Sequence, residues 1–168
     1  MEIIAGEEMK AIIISKKALE KTLKNITYTL EEFNVSFKLA QGLTGQELEG
    51  VELVIVVGGS GDVLRAFHEM GEISVPVLGI NESNGESFLT ETGISVFPDA
   101  FRRVTKGDYF IEEAVRLSSV VDGKELPPAL NEVAIFPTRS ATLLEYTLNV
   151  DGEAVWRDYS DGVIVSTP

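Results

Sequence analysis

A chain of 168 residues, 44% of them hydrophobic, carries enough apolar material for a buried core, which predicts a globular protein and, on length alone, a single domain. Its 27 acidic and 14 basic residues leave a net charge of −13, the wrong sign for gripping a phosphate backbone, so neither nucleic acid nor an anionic membrane is an expected partner. Cysteine is absent, which excludes disulfides and thiolate metal sites.

Met1–Glu8 has no basic region and no sustained apolar run, and no stretch of about eighteen apolar residues occurs anywhere, so a cytoplasmic location is expected. Lys10–Ser15 is a short β-branched run that predicts a buried strand. Leu19, Leu23, Ile26, Leu30 and Phe33 then recur every three or four residues, predicting a helix over 16–33. Further strands are expected over 35–39 and 53–57, separated by a polar, glycine-bearing connection. Gly58-Gly59-Ser60-Gly61 forms a turn, and Val63, Leu64, Phe67 and Met70 share one face of a helix over 62–70. Val75–Ile80 reads as a strand with Pro76 near its start, where a missing N–H is tolerated. A helix over 98–105 follows, with Pro98 in its first turn and Gly107 just past its end.

Beyond that helix the pattern turns to strands, over 109–121, 132–136, 142–150, 154–159 and 163–165, punctuated by Asp122-Gly123, Asp151-Gly152 and Asp161-Gly162. Trp156 and the Tyr146–Leu148 segment alternate with polar neighbours and read as core packing. The expected division is an α/β domain over 1–97, an open, Rossmann-like three-layer sheet, and a mainly antiparallel β domain over 98–168 that is incomplete at its C-terminus. The strand left open there needs cover, which predicts a homo-oligomer.

The Gly58–Gly61 turn is the strongest local signal for chemistry. Glycines between a buried strand and a helix let backbone amides approach an anion, and the helix N-terminus adds favourable partial charge. A tight turn that merely needs glycine conformations fits the same residues, and spacing leaves both readings open. No Gly-Lys-Ser/Thr follows, and the G-x-G-x-x-G dinucleotide fingerprint is absent. His68, the one histidine, sits beside Glu69 in a predicted helix and reads as a surface residue.

Val57-Gly-Gly-Ser-Gly-Asp-Val-Leu-Arg65 resembles the Gly-Gly-Asp-Gly-Thr-Leu-Leu-Arg segment of NAD kinases and of their lipid-kinase and phosphofructokinase relatives. Leu78-Gly-Ile-Asn81 with Phe88-Leu-Thr-Glu91, Ala129-Leu-Asn-Glu-Val133 and Asp161-Gly-Val-Ile-Val-Ser-Thr-Pro168 resemble three further segments particular to NAD kinases. The resemblance implies phosphoryl transfer from ATP or polyphosphate to the 2′-hydroxyl of the adenosine ribose of NAD, with Mg2+ as the divalent cation, and a homo-oligomer. It implies that Gly58, Gly59, Gly61, Arg65 and Asn81 seat the dinucleotide, that Asn131 and Glu132 contact the adenosine ribose, and that Tyr159 and Asp161 line the nicotinamide end. On the residues alone, Asn131 could cap a turn, Glu132 and Arg65 could be solvated charges, and Asp161 could open a hairpin.

The chain departs from that pattern at the turn. The family's catalytic carboxylate falls on Ser60, whose hydroxyl is no carboxylate base, and Asp62 stands where the family has threonine. Two residues along a helix turn through about 200°, so on an unchanged backbone Asp62 points elsewhere. Ser60 and Asp62 are thus the two catalytic candidates, and a nucleotide-binding relative with impaired turnover, acting as sensor or partner subunit, is the alternative. A lipid kinase of the same superfamily is a third reading. The segment 81–88 is one residue longer than usual, with Gly85 its only glycine.

Overall fold

The computed structural model describes residues 9–82 and 87–168; Gly85 and the rest of 83–86 lie outside the described residues. The chain divides into two compact units, Met1–Ala114 and Val115–Pro168. The expected boundary at 97/98 therefore moves, because the helix placed there in the second domain packs into the core of the first.

The first unit is built on β1 (Lys10–Ile14), α1 (Glu20–Glu32), β2 (Ser36–Ala40), β3 (Leu53–Val57), α2 (Ser60–Met70), β4 (Val77–Asn81), the two-residue β5 (Thr92–Gly93) and α3 (Phe97–Thr105). The strands form one parallel sheet in the order β2-β1-β3-β4-β5. Side chains alternate across it. Ala11, Ile13, Leu53, Ile55 and Val57 meet Ile26 and Leu30 of α1 and Phe97 and Phe101 of α3 on one face. Ile12, Ile14, Val54 and Val56 meet Val63, Ala66 and Met70 of α2, with Leu43 and Leu48, on the other. Both faces are covered, so these strands are continuous apolar runs.

Two helix starts differ from expectation. Helix α1 begins at Glu20, four residues late, because the Ser15 Oγ accepts the Ala18 N–H at 2.8 Å and holds a turn there. No side chain of its own neighbourhood caps it. Glu82, at the end of β4, does so instead: its Oε1 accepts the Leu19 N–H at 2.8 Å and the Thr22 hydroxyl at 2.7 Å. Helix α2 begins at Ser60, two residues early, for a reason that belongs to the glycine turn.

The second unit holds β6 (Leu117–Val121), β7 (Lys124–Ala129), β8 (Glu132–Ile135), β9 (Leu144–Val150), β10 (Glu153–Ser160) and β11 (Val163–Ser166) in three antiparallel pairs, β6–β7, β9–β10 and β8–β11. Residues 109–116, expected in a strand, are outside any. Strand β7 was not expected because Pro127 and Pro128 interrupt its pattern, yet a two-stranded ribbon has a free side where prolines fit. Asp122-Gly123 and Asp151-Gly152 have positive φ at both residues, the geometry of tight hairpins joining β6 to β7 and β9 to β10. Asp161-Gly162 opens no hairpin, since β11 pairs with β8 and not with β10. Within 115–168 every residue except Pro128 is exposed or half-buried. Trp156 is 57% exposed, so it does not pack in a core as its alternation had implied.

Replacing Glu82 by Ala removes the N-terminal cap of α1 and is expected to lower stability by about 0.5–2 kcal/mol. Urea unfolding checks this, and Thr22→Val, which removes one of the two bonds, should cost less.

Candidate functional site

Because the strands are parallel, Ile14, Val57 and Asn81 end β1, β3 and β4 at one edge of the sheet. From β1 the chain crosses over to β2, and from β3 it crosses the opposite way to β4. Between the carboxyl ends of β1 and β3 the two crossovers diverge, and in open sheets ligands bind in the crevice left at such a point. Here the crevice is shallow and is lined by Ser15, Lys16, Val57, Asp62, Arg65 and Glu69, among others.

The glycine turn stands at this edge. The Gly58 N–H donates to the Ile80 carbonyl at 3.0 Å, continuing the β3–β4 pairing, and Gly59 is the N-cap of α2. The Asp62 Oδ2 accepts the Gly59 N–H at 3.1 Å. This is half of a capping box, because Gly59 has no side chain to return the bond. That carboxylate draws the helix start back to Ser60. It also makes Gly58 obligatory: a Cβ there would lie 2.2 Å from Asp62 Oδ2 and 2.9 Å from its Cβ, at a φ of +157°. The other Asp62 oxygen accepts from Arg65 Nη1 at 3.1 Å. Ser60 and Gly61 occupy the first two helical positions, whose N–H groups have no carbonyl within the helix to bond.

Ser60 faces elsewhere. Its Oγ lies 3.0 Å from the Ser87 Oγ and accepts the Leu89 N–H at 3.2 Å, fastening the chain after β4 to the start of α2. Gly79 makes that approach possible, since a Cβ on it would lie 2.7 Å from the Leu89 carbonyl oxygen. Thus Gly58, Gly59, Ser60, Gly61, Asp62, Arg65 and Asn81 come together at one edge, while Ser60 and Asp62 address different neighbours.

In the second unit Asn131 directly precedes β8 and donates from Nδ2 to the Glu132 Oε2. Its carbonyl accepts the Thr167 N–H at 2.9 Å. Glu132 is opposite Ser166 and Ile135 opposite Val163. Asn131 and Glu132 therefore flank one end of this ladder and Asp161 the other, three residues or about 10 Å along the strands. Tyr159, in β10, is 60% exposed and opposite Glu145. Asn131, Glu132 and Asp161 thus mark the two ends of the β8–β11 ribbon, while Tyr159 stands on the β9–β10 hairpin.

Periodicity did not single out Lys16, Glu69, Ser87 or Glu91. Lys16 and Glu69 gain their place from strand order, which no local pattern encodes. Glu91 accepts the Gly79 N–H at 2.5 Å. Burial of its carboxyl raises its pKa above the ordinary 4.5, outweighing the lowering by the Gly79 N–H and its own backbone N–H, and nearby Glu112 adds to the rise.

The family model for the ATP-NAD kinase N-terminal domain matches residues 2–109. The chain belongs to the NAD kinase family. It is 36% identical over 118 residues to the NAD kinase of Methanopyrus kandleri, covering 70% of this chain and 42% of that protein. It is 32% identical over 172 aligned residues to the NAD kinase of Clostridium tetani, covering 99% of this chain and 60% of that one. Among solved structures, an NAD kinase from Archaeoglobus fulgidus in complex with ATP superposes with a TM-score of 0.80 at 28% identity, over 94% of this chain and 60% of its own. The chain thus spans about half of the lengths of these relatives.

A carboxyl whose pKa is raised by folding holds its proton more tightly in the folded state. Its contribution to stability is complete below 4.5 and is lost as pH climbs through the raised value. Glu91→Gln keeps an acceptor for Gly79 and should remove that loss. Urea midpoints of variant and parent should coincide near about pH 4 and separate in favour of the variant toward about pH 7, by under about 1 kcal/mol because solvent screens the group.

Proposed function

We propose that this chain carries the phosphate-binding half of an NAD kinase site and takes part in phosphoryl transfer from ATP, or polyphosphate, to the 2′-hydroxyl of the adenosine ribose of NAD, giving NADP. The observation that carries this reading is the glycine turn: it stands at the divergence of two crossovers and presents the N–H groups of Ser60 and Gly61 at the start of α2. Phosphoryl transfer through a loose transition state depends chiefly on positioning and electrostatics. The chain supplies both with backbone donors and Arg65. Asn131, Glu132, Tyr159 and Asp161 keep their proposed roles toward NAD.

The reaction class implies a divalent cation. Among the described residues no three acidic or histidine side chains gather as metal ligands, and both Asp62 oxygens are engaged. The donor set fits a cation that arrives on the phosphates and keeps most of its waters, as Mg2+ commonly does. Such an ion would neutralise phosphate charge.

The engagement of Asp62 favours a second reading, a nucleotide-binding chain with impaired turnover, because Asp62 serves as a cap and is not free as a base. Incubation with NAD, ATP and magnesium, followed by a dehydrogenase specific for NADP, separates the two. NADP above blank supports turnover, whereas micromolar NAD binding by calorimetry without NADP supports the binder. Ser60→Asp would place a carboxylate where Leu89 N–H and Ser87 hydroxyl already point, and should raise NADP formation by about 10²–10⁴-fold. Asp62→Asn should instead lower stability by about 0.5–2 kcal/mol with little effect on turnover per folded molecule. Loss of all activity in Asp62→Asn would assign it the role of base after all.

The same reading includes a homo-oligomer, supported by the exposed apolar side chains Val120, Leu126, Trp156, Ile164 and Val165 of the second unit. Sedimentation at micromolar concentration should give a species heavier than the monomer; a stable monomer contradicts it.

A further inference from the structure

Lys16 follows β1 by two residues, at the carboxyl edge of the sheet and across the crevice from α2. Its position is set by its neighbours. The Ser15 N–H donates to the Ala40 carbonyl at 3.3 Å, and the Ser15 Oγ accepts the Ala18 N–H at 2.8 Å, so the turn carrying Lys16 is tied on both sides. The Lys16 ammonium faces Glu69 of α2 at 3.5 Å, across a pair that is 42% and 24% exposed. An ammonium has three donors. At that length and exposure the pair contributes little to stability, and no other partner engages Lys16 among the described residues. Glu69 has a separate task, since its other oxygen accepts the Leu43 N–H at 2.9 Å. Arg65 lines the same crevice, bound to Asp62 through Nη1 alone. In a chain of net charge −13, two loosely held cations line one crevice, beside the first turn of α2.

We propose that Lys16 is a phosphate-positioning residue: it binds a condensed phosphate chain, such as the triphosphate of a nucleotide donor or linear polyphosphate, whose adjoining phosphate lies on the Ser60 and Gly61 N–H groups. Glu69 holds the ammonium in the crevice and yields it to the incoming phosphate. This rests on the proposed phosphoryl-transfer reading and adds to it a residue in the turn after β1, outside the glycine turn. Several anionic oxygens in a row are what such an arrangement recognises, because each of Lys16, the helix start and Arg65 can meet a different phosphate.

The test is equilibrium titration of the folded chain with sodium tripolyphosphate, ATP and, separately, NAD. Lys16→Met should weaken tripolyphosphate binding by roughly 10-fold to 100-fold, the loss of one charge-assisted contact. Lys16→Arg should restore most of it, and Lys17→Met, a change at the exposed neighbour, should leave it unaltered. Glu69→Gln keeps an acceptor for Leu43 while removing the competing charge, and should tighten binding several-fold, which a purely structural role for the pair would not do. A loss shared by tripolyphosphate and ATP but not NAD supports the assignment of Lys16 to the donor; a loss confined to NAD overturns it. Unchanged affinity for all three ligands in Lys16→Met, or weakening in Glu69→Gln equal to that in Lys16→Met, overturns the proposal. Turnover is not needed for this measurement. Absent NADP formation with Lys16-dependent binding removes only the kinase reading, and NADP formation with unaltered binding in Lys16→Met removes only the role of Lys16.

Discussion

Strand-helix-strand crossovers in a parallel sheet are right-handed, and in this chain they leave β1 and β3 in opposite directions. That single constraint sends α1 to one face of the sheet and α2 to the other. It leaves the carboxyl ends of β1 and β3 with no helix between them. The glycine turn, the start of α2, Lys16 and Arg65 all stand around that opening, though 43 residues lie between Lys16 and Ser60 in the chain. Moving either crossover to the other face would close the crevice and bury the helix start.

Carboxylates at and near this edge act mainly as acceptors for backbone N–H groups. Asp62 takes Gly59, Glu69 takes Leu43, Glu82 takes Leu19 and Glu91 takes Gly79. Each ties two segments together and satisfies a backbone donor. An acidic chain can in this way face anionic ligands: negative charge drawn toward amides and guanidinium is less available to repel phosphate than charge left free in the crevice. Asp62 is the fullest case of this use. Capping α2 and binding Arg65 occupy both its oxygens, and the Ser60 hydroxyl is turned to Ser87 and Leu89.

The two units hold together in different ways. In the first, apolar side chains from both faces of one sheet meet three helices, and every hydrophobic residue in the buried core comes from it. In the second, the hairpins β6–β7 and β9–β10 are set by local Asp-Gly turns, and only β8–β11 joins distant segments. Apart from Pro128, the apolar side chains of its strands are exposed or half-buried. Isolated two-stranded ribbons are marginal in water, so these surfaces are where further contacts would contribute most.

Local sequence determined the continuous apolar strands β1 and β3, the amphipathic faces of α1, α2 and α3, and the two Asp-Gly hairpins, because period, glycine and turn chemistry act over a few residues. The segment resemblance likewise marked Ser60, Asp62, Arg65 and Asn81 before any contact was known. Tertiary structure alone decided the rest. Helix α1 starts at Glu20 because Ser15 turns the chain and Glu82, 63 residues from Leu19, caps it. Strand β11 pairs with β8 instead of folding back on β10, which no Asp-Gly signal at 161–162 could reveal. Lys16 and Glu69 meet across the crevice only because β1 and β3 are neighbours in the sheet, and strand order is fixed by the packing of helices on both faces, not by any pattern along the chain.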